Sequence, residues 1–215
     1  MEQDVKRELS QAVGNYDVEA AEKWAHKAIE LKMDPLDLIA NSLTPAIEKV
    51  GKLFDCGDIF LPHLVMAGDA MLAAINVLKQ DMSSEQLVSS SKGTIVIGTV
   101  KGDVHNIGKN IVGIMLTAGG YNVIDLGIDV EPFKFVEEAQ RNNADIIAVS
   151  ALMTFTAQNM KMVSEYLEME GLRDKFKLIF GGGPLNEQWA KEMGADGYAL
   201  DANRAVAVVN RLLGR

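Results

Sequence analysis

The sequence is poor in cysteine: Cys56 is the single one among 215 residues. One cysteine cannot form an internal disulfide, which favours the cytoplasm over an oxidising compartment. Residues 1–10 are polar and lack the apolar core of a secretory signal. Because no apolar run approaches the roughly 18 residues that span a bilayer, the sequence predicts a cytoplasmic protein with no membrane partner.

Positive charge is scarce as well. Lysine and arginine number 21 against 30 aspartates and glutamates, and the formal net charge is −9 at pH 7. Nucleic-acid binding needs a basic face that neutralises phosphates, so this class of function is disfavoured. An acidic surface also favours solubility, which is the commoner reason for such a balance.

The first part of the chain, residues 1 to about 82, has the apolar periodicity of helices. A first helix is predicted from the spacing of Val5, Leu9, Ala12 and Val13. Further helices are predicted over 18–31, 34 to about 54 and 61 to about 82, and short connections between them indicate a four-helix bundle. Asp34 can cap the third helix, whereas Pro45 lies inside it and should bend or split it. The serine-rich segment 83–93 is interpreted as a linker, which gives domains 1–88 and 89–215.

The second part alternates short β-rich runs with helices. Residues 146–149, IIAV, are apolar on both faces, as expected of a parallel strand covered by helices on each side. The pattern predicts an α/β fold, a flavodoxin-like (Rossmann-type) doubly wound sheet of five parallel strands. The predicted strands are 94–99, 122–126, 145–150, 177–180 and 197–200, with helices near 107–118, 131–142, 156–170, 185–193 and 202–213.

Ligands of such sheets bind beyond the carboxyl ends of the strands. His105 follows the first predicted strand, two residues after Asp103. A lone histidine is usually structural or exposed, but here Asp103 can accept a hydrogen bond from one ring nitrogen while the other binds a metal. Gly102 and Gly108 would let a bulky ligand approach the backbone.

Other residues at the carboxyl edge of the sheet can be interpreted as structural or as ligand-binding. The loop after the first strand lacks the Walker A and Gly-x-Gly-x-x-Gly sequences, which disfavours the usual phosphate ligands. The run 181–183 could be an ordinary glycine turn. Ser150, Thr154 and Thr156 could cap the following helix, with Thr156 the plausible cap, or they could grip an amphiphilic ligand together with their apolar neighbours.

The two remaining histidines are weaker candidates. His26 lies among charged neighbours on the second helix and is predicted to be exposed. His63 follows Pro62 at a helix start, where facing a ligand, capping the helix and lying at the surface all remain open. With Cys56 these histidines form no recognisable zinc spacing.

Three dispersed segments together resemble the cobalamin-binding signature: Asp103-x-His105-x-x-Gly108, Ser150-x-Leu152 and Gly181-Gly182. Residues 99–113, TVKGDVHNIGKNIVG, look very like the corresponding region of cobalamin-dependent methionine synthase. They are also similar to the corrinoid proteins of methanol and methylamine methyltransferase systems. Residues 53–54 and 60–62 of the helical part resemble the cap domain of that family, so the resemblance covers nearly the whole chain.

The resemblance implies a role for each matching residue. His105 would be the lower cobalt ligand in place of the dimethylbenzimidazole of cobalamin, and Asp103 would hydrogen-bond it. Thr156 stands where the family usually has serine and would complete a His–Asp–hydroxyl relay. Ser150 and Thr154 would contact the displaced nucleotide tail. The other implied cofactor-binding residues are Asn106, Ile107, Gly108 and Leu152, Gly181 and Gly182 lining the slot for the tail, and Phe54, Leu61 and Leu64 or Val65 shielding the methyl-bearing upper face.

The implied function is that of a non-catalytic corrinoid carrier in anaerobic one-carbon metabolism. A donor-specific methyltransferase would load a methyl group onto the bound cobalamin, and a second methyltransferase would pass it to a folate or thiol. A reductive activase is a further candidate partner, and the linker 83–93 would be the hinge that lets the cap move. The resemblance leaves the donor open among methanol, methylamines, quaternary amines and aryl methyl ethers.

Two alternative functions use the same cofactor. The small subunit of an adenosylcobalamin-dependent mutase shares the Asp-x-His-x-x-Gly loop but has no reason to carry the helical bundle. A cobalamin-sensing regulator would need a DNA-binding module with basic recognition residues, and the N-terminal part offers none. A complete methionine synthase is not expected, since 215 residues leave no room for its other modules.

Overall fold

The structure is a computed structural model, and it describes residues 2–80, 82 and 91–215. The described chain forms two compact units. One comprises the residues up to Ser91 together with Ala118–Gly120, and the other comprises Lys92–Thr117 and Tyr121–Arg215. The predicted boundary at 88/89 and most of the predicted linker, 83–90, lie outside the described residues.

The first unit is helical, as the apolar periodicity predicts. Its elements are α1 (Glu2–Gly14), α2 (Val18–Glu30), α3 (Pro35–Leu38), a π-helical turn (Ile39–Leu43), α4 (Thr44–Asp55) and α5 (Leu61–Lys79). Alanines of α2 are fully buried and α2 packs against α5, so small side chains let these two helices approach closely. The buried side chains of these two helices include Ala21, Ala25 and Ala28 of α2 and Ala67, Met71 and Ala74 of α5.

The predicted third helix is interrupted before Pro45. Asp34 caps its start, since its carboxylate accepts a hydrogen bond from the backbone N–H of Leu36 at 3.0 Å. The interruption is a π-helical turn in which the N–H of Thr44 donates to the carbonyl of Ile39. Proline has no N–H to donate and its ring crowds the preceding turn, so a wider turn just before it relieves the clash.

Helix α5 corrects one expectation from the sequence. By length and composition, Leu61–Lys79 is apolar enough to cross a membrane, and half of its most apolar window is buried inside the structure. Its polar interruptions, His63, Asp69 and Asn76, leave no unbroken apolar run of that length. A bundle's central helix has the same apolar character, because it is covered on several sides.

The second unit is the predicted doubly wound α/β domain. Its five parallel strands lie in the order β2-β1-β3-β4-β5, the flavodoxin-like arrangement. Both faces of the sheet are buried, one against α7, α9 and α10 and the other against α6 and α11. The elements are β1 (Thr94–Thr99), α6 (Ile107–Ala118), β2 (Asn122–Asp125), α7 (Pro132–Arg141), β3 (Ile146–Ser150), α8 (Thr154–Ala157), α9 (Met160–Met169), β4 (Lys177–Gly181), α10 (Glu187–Glu192), β5 (Gly197–Ala199) and α11 (Ala202–Leu212).

The predicted helix 156–170 is two helices in the structure. A short helix, α8, begins two residues earlier at Thr154, and Gln158 and Asn159 separate it from α9. The side-chain amide of Asn159 donates to the carbonyl of Lys101 at 2.9 Å, which ties this break to the loop after β1. Helical periodicity reveals neither this tertiary contact nor the break beside it.

Candidate functional site

The register of the sheet brings the candidate loops to one edge. Thr99 of β1 pairs with Ser150 of β3, Ser150 pairs with Gly181 of β4, and Gly181 pairs with Ala199 of β5. These four residues form one row at the carboxyl ends of their strands. The loops that follow β1, β3 and β4 therefore start side by side, where open α/β sheets bind their ligands.

Asp103 lies at the centre of this edge and is fully buried. Its Oδ1 accepts hydrogen bonds from the backbone N–H of His105 at 3.0 Å and from the imidazole Nδ1 at 2.7 Å. Its Oδ2 accepts from the N–H groups of Leu152 and Met153, at 2.8 and 3.2 Å, and from the Thr156 hydroxyl at 2.6 Å. One carboxylate thus joins the loop after β1 to the loop after β3.

Hydrogen bonding keeps the buried carboxyl ionised. Burial by itself raises the pKa of Asp103, but the Thr156 hydroxyl, the backbone N–H groups of His105 and Leu152, and the imidazole together lower it further than burial raises it. The net effect holds the pKa of Asp103 far below its ordinary value. The site therefore contains a fixed negative charge beside the imidazole.

This charge fixes the proton on the imidazole of His105. An ionised carboxylate can only accept hydrogen bonds, so Nδ1 of His105 must carry the hydrogen in the 2.7 Å contact with Asp103. In the neutral ring the lone pair is then on Nε2, and no described residue hydrogen-bonds that atom. The side chain is 45% exposed, so Nε2 is available to a metal ion outside the protein surface.

The three hydroxyls of the second loop have different surroundings. Thr156 is buried and donates to Asp103, so it contacts the carboxylate rather than capping a helix. Helix α8 begins after Met153 and α9 after Asn159, neither with a side-chain cap, which makes the capping interpretation of the hydroxyls wrong. Ser150 is partly exposed and Thr154 is exposed, and neither hydroxyl bonds to a described residue.

The glycines of the site differ in whether backbone conformation or close packing requires a residue without a side chain. At Gly102 the backbone has φ +84°, and the N–H of Asp103 closes the turn onto the carbonyl of Val100 at 3.1 Å. Gly108 faces open space, with nothing within 4 Å of an added Cβ. Gly182 has φ +132°, and a Cβ there would lie 1.8 Å from the carbonyl oxygen of Ala151. Gly182 therefore has a packing role in the fold, whether or not a ligand lies beside it.

Replacing Gly182 with alanine is expected to destabilise the domain. The added Cβ meets backbone rather than a flexible side chain, and the left-handed φ adds strain, so we expect a loss of at least about 2 kcal/mol in the free energy of unfolding. Gly183→Ala is the matched control, since its Cβ would lie 3.4 Å from the end of the Leu152 side chain. Denaturant unfolding of both variants measures this loss. Equal stabilities would mean that the loops after β3 and β4 do not pack as closely as Gly182 and Ala151 do in the structure.

Apolar side chains are exposed along the same edge. They come from the loops and helix starts that follow four of the five strands, and each exposes about half of its surface or more. An exposed group of this kind, rimmed by polar residues, is typical of a surface that binds an apolar or amphiphilic ligand or a partner. The side chains are Val104 and Ile107 after β1, Ile128 after β2, Leu152 and Phe155 after β3, and Leu200 after β5.

The candidate cap residues lie within the helical unit. Phe54 is near the end of α4, and Leu61 and Val65 are one turn apart at the start of α5; all three are partly exposed. Leu64 is buried in the bundle, 3% exposed. Of the two residues that the sequence left as alternatives, Val65 is therefore the one with surface to offer a ligand.

Sequence reasoning missed several polar residues that support the loop after β1. Asp129 and Asn159 hydrogen-bond the backbone of Gly102 and Lys101, and Lys109 is buried with its ammonium group against Asp125. Their partners are many residues away in sequence, so spacing gives no sign of these contacts. The one available signal is Lys109, which is the only charged residue in the mostly apolar helical stretch 107–118.

The other two histidines do not join the site. His26 is exposed on α2. His63 accepts a hydrogen bond from the backbone N–H of Phe60 at 3.1 Å, which is the capping role that the sequence left open. Among the described residues no group of three or more His, Cys, Asp or Glu side chains could hold a metal ion. A metal held by His105 must therefore bring its other ligands with it.

These features define a cobalamin-binding protein, and comparison with known proteins agrees. Two family models, both described as B12 binding domains, match residues 93–207 and residues 5–79. A corrinoid protein of Desulfitobacterium hafniense is 43% identical over 209 residues, which are 97% of each chain. Dimethylamine corrinoid protein 1 of Methanosarcina mazei is 44% identical over 211 residues, 98% of this chain and 97% of that one.

Solved structures give the same result. The methanol:cobalamin methyltransferase complex MtaBC from Methanosarcina barkeri contains a chain that is 32% identical, with a TM-score of 0.85 over 98% of this chain and 80% of that one. A cobalamin-binding protein from Desulfitobacterium hafniense has a TM-score of 0.71 at 33% identity, over 96% and 98% of the two chains. The chain belongs to the corrinoid proteins of methyltransferase systems.

Proposed function

We propose that this protein is a methyl carrier, which holds cobalamin by His105 and moves a methyl group from one methyltransferase to another. Bound cobalamin supplies a cobalt atom that accepts and releases the methyl group. The observation that carries the proposal is the Asp103–His105 pair, with Nδ1 bonded to a buried carboxylate and Nε2 left without a described partner. The family membership of both parts of the chain agrees with it.

The residues of the site fit such a cofactor. His105 would hold the cobalt from below, and Asp103 with Thr156 would keep the imidazole in the tautomer that can bind metal. Asn106, Ile107, Gly108 and Leu152 are all exposed beside His105 or across the edge from it, so they can contact a large ring. Ser150 and Thr154 offer free hydroxyls to the nucleotide tail, and Gly181 and Gly182 would border it.

A carrier of this kind needs partners that load the methyl group onto the cofactor and remove it again. One would be a donor-specific methyltransferase, the second an acceptor methyltransferase acting on a folate or thiol, and the third a reductive activase. Among the similar proteins, one is named for dimethylamine and another belongs to a methanol methyltransferase complex. We infer that the donor is selected by the partner enzyme and that transfer takes place in the cytoplasm.

Reconstitution tests this function directly. The purified chain, mixed with cobalamin and passed through a gel-filtration column, should retain one cobalamin per chain by absorption spectroscopy. The chain loaded with methylcobalamin should then be demethylated by an acceptor methyltransferase of a methylamine or methanol system that is supplied with its folate or thiol acceptor. A colourless protein would contradict cofactor binding, whereas a coloured protein that no such enzyme can methylate or demethylate would contradict the carrier function alone.

The helical unit is proposed to shield the methyl-bearing face of the cofactor. Replacing Phe54 and Leu61 together with alanine removes apolar surface that both residues expose, so water and oxidants should reach the cobalt more easily. We expect loss of the methyl group in light or air to become several-fold faster, with the lower ligand unchanged. Val18→Ala, at an exposed position of α2, is the control; unchanged rates in the double variant would contradict shielding.

A further inference from the structure

The loop after β2 holds the backbone on both sides of Asp103. The carboxylate Oδ1 of Asp129 accepts a hydrogen bond from the N–H of Gly102 at 2.8 Å, and the N–H of Asp129 donates to the carbonyl of Asp103 at 3.0 Å. A single residue thus hydrogen-bonds the N–H of Gly102 and the carbonyl of Asp103, the two ends of the Gly102–Asp103 dipeptide that carries the buried carboxylate. Asp103 is in turn the residue that orients His105.

Asp129 is itself held in an uncommon conformation. Its backbone has φ +54°, a left-handed value that Asn and Asp tolerate better than most residues. The next residue, Val130, forms a parallel bridge with Val100, and its N–H donates to the carbonyl of Thr99 at 3.0 Å. The loop therefore continues the sheet beyond β2 and carries Asp129 to the turn at Gly102. Strain of this kind persists where surrounding contacts fix the backbone.

The charge of Asp129 also has a partner in the same turn. The ammonium group of Lys101 lies 3.4 Å from the Asp129 carboxylate and 3.1 Å from that of Glu131. All three side chains are about half exposed, so the ion pairs add little stability in water. The hydrogen bond to the Gly102 N–H is the contact that reaches the site, and it needs an acceptor oxygen rather than a charge.

We propose that Asp129 is a positioning residue for the cobalt ligand, which acts by fixing the turn that presents Asp103 to His105. This inference rests on the proposed function, because it assumes that His105 binds cobalt. Loss of the hydrogen bond to Gly102 lets the turn move, so the Asp103–His105 pair spends less time in the geometry that points Nε2 outward. The bond between His105 and cobalt then weakens, although Asp129 touches neither residue's side chain.

Three variants of the cobalamin-loaded full chain test the proposal. Asp129→Gly keeps the left-handed backbone without strain but removes the acceptor, whereas Asp129→Asn keeps an acceptor oxygen and removes the charge. Asn143→Gly is the matched control, since Asn143 also has a left-handed backbone, with φ +47°. It lies in the turn between α7 and β3, at the edge of the sheet opposite the site. The readout is the cyanide concentration that half-displaces the lower ligand, followed by absorbance.

We expect this cyanide concentration to fall by about 3- to 10-fold in Asp129→Gly, the factor that corresponds to one lost hydrogen bond. It should stay within about 2-fold of wild type in Asp129→Asn, where the bond is largely retained, and it should not change in Asn143→Gly. If wild type has its protein ligand and Asp129→Gly matches it, the positioning role is wrong and the carrier function stands. If wild type itself lacks a protein ligand on cobalt, the role of His105 fails first and this inference fails with it.

Discussion

The variant His105→Ala is expected to bind cobalamin and to lack any bond from the protein to its cobalt. The imidazole is 45% exposed, and its loss removes only one of the five hydrogen bonds that Asp103 accepts, so the domain should remain folded. At neutral pH the methylated variant should show the absorption spectrum of a cobalamin without a nitrogen lower ligand, called base-off. The methylated wild type should show the spectrum of a cobalamin with a nitrogen lower ligand, called base-on. Methyl transfer should slow by more than the roughly 100-fold that marks the upper range for residues that merely orient a ligand.

The control for this variant is His26→Ala, which removes an exposed histidine of the helical unit. It should bind cobalamin, show the base-on spectrum and transfer methyl groups at the wild-type rate. A base-on spectrum in His105→Ala would contradict the role given to His105. Loss of cobalamin from both variants would point instead to unfolding, which circular dichroism detects independently.

The second large effect is expected from Asp103→Asn, which preserves shape but replaces one acceptor oxygen with a donor amide. Every partner of the Asp103 carboxylate is a hydrogen-bond donor: three face Oδ2 and two face Oδ1. The asparagine oxygen should take the side with three donors. Its NH₂ group then faces Nδ1 of His105 and favours the tautomer with the proton on Nε2, which cannot bind a metal.

We therefore expect Asp103→Asn to weaken the bond between His105 and cobalt by about 10- to 100-fold, measured by cyanide displacement. It should also lower the free energy of unfolding by about 1–3 kcal/mol, because a buried donor is left facing the backbone N–H of His105. Asp174→Asn, at an exposed position, is the control and should change neither quantity. Wild-type affinity for the lower ligand in Asp103→Asn would contradict the tautomer argument.

The two substitutions should not be additive. In the proposed mechanism Asp103 affects cobalt only through His105, so adding Asp103→Asn to His105→Ala should slow methyl transfer little beyond His105→Ala alone. The stability loss should persist in the double variant, since the backbone N–H of His105, which the buried asparagine amide would face, remains when the imidazole is removed. Full additivity in the transfer rate would mean that Asp103 has a separate role.

Much of the fold could be predicted from the sequence because the helical first part and the strand-and-helix second part have clearly different apolar periodicities. The strand predicted at 94–99 matches β1, the helix near 107–118 matches α6, and the strand order follows from the flavodoxin-like pattern. The bend at Pro45 was also predicted, but its form, a π-helical turn, was not. Proline prevents the normal helical hydrogen bond at that point, but it does not determine whether a wider or a tighter turn replaces it.

The site could be predicted only where its residues are close in sequence. Asp103 and His105 are two positions apart, so spacing alone suggested their hydrogen bond. Asp129 is 27 residues from Gly102, the residue it contacts, and nothing in its neighbourhood distinguishes it from a solvated charge. Thr156 needed the family resemblance, because a threonine near a helix start is usually a cap; the structure shows that its hydroxyl contacts Asp103 instead.

The most direct test of the account is whether the lower nitrogen on cobalt belongs to a histidine of this chain. The protein is produced with nitrogen-15 histidine, loaded with unlabelled cobalamin and reduced to the cobalt(II) state for electron paramagnetic resonance. Nitrogen-14 splits each cobalt line into three and nitrogen-15 splits it into two. We expect pairs of lines in the labelled protein and no nitrogen splitting in the labelled His105→Ala variant. Triplets in the labelled wild type would show that the cofactor's own base stays on cobalt, which would contradict the role of His105.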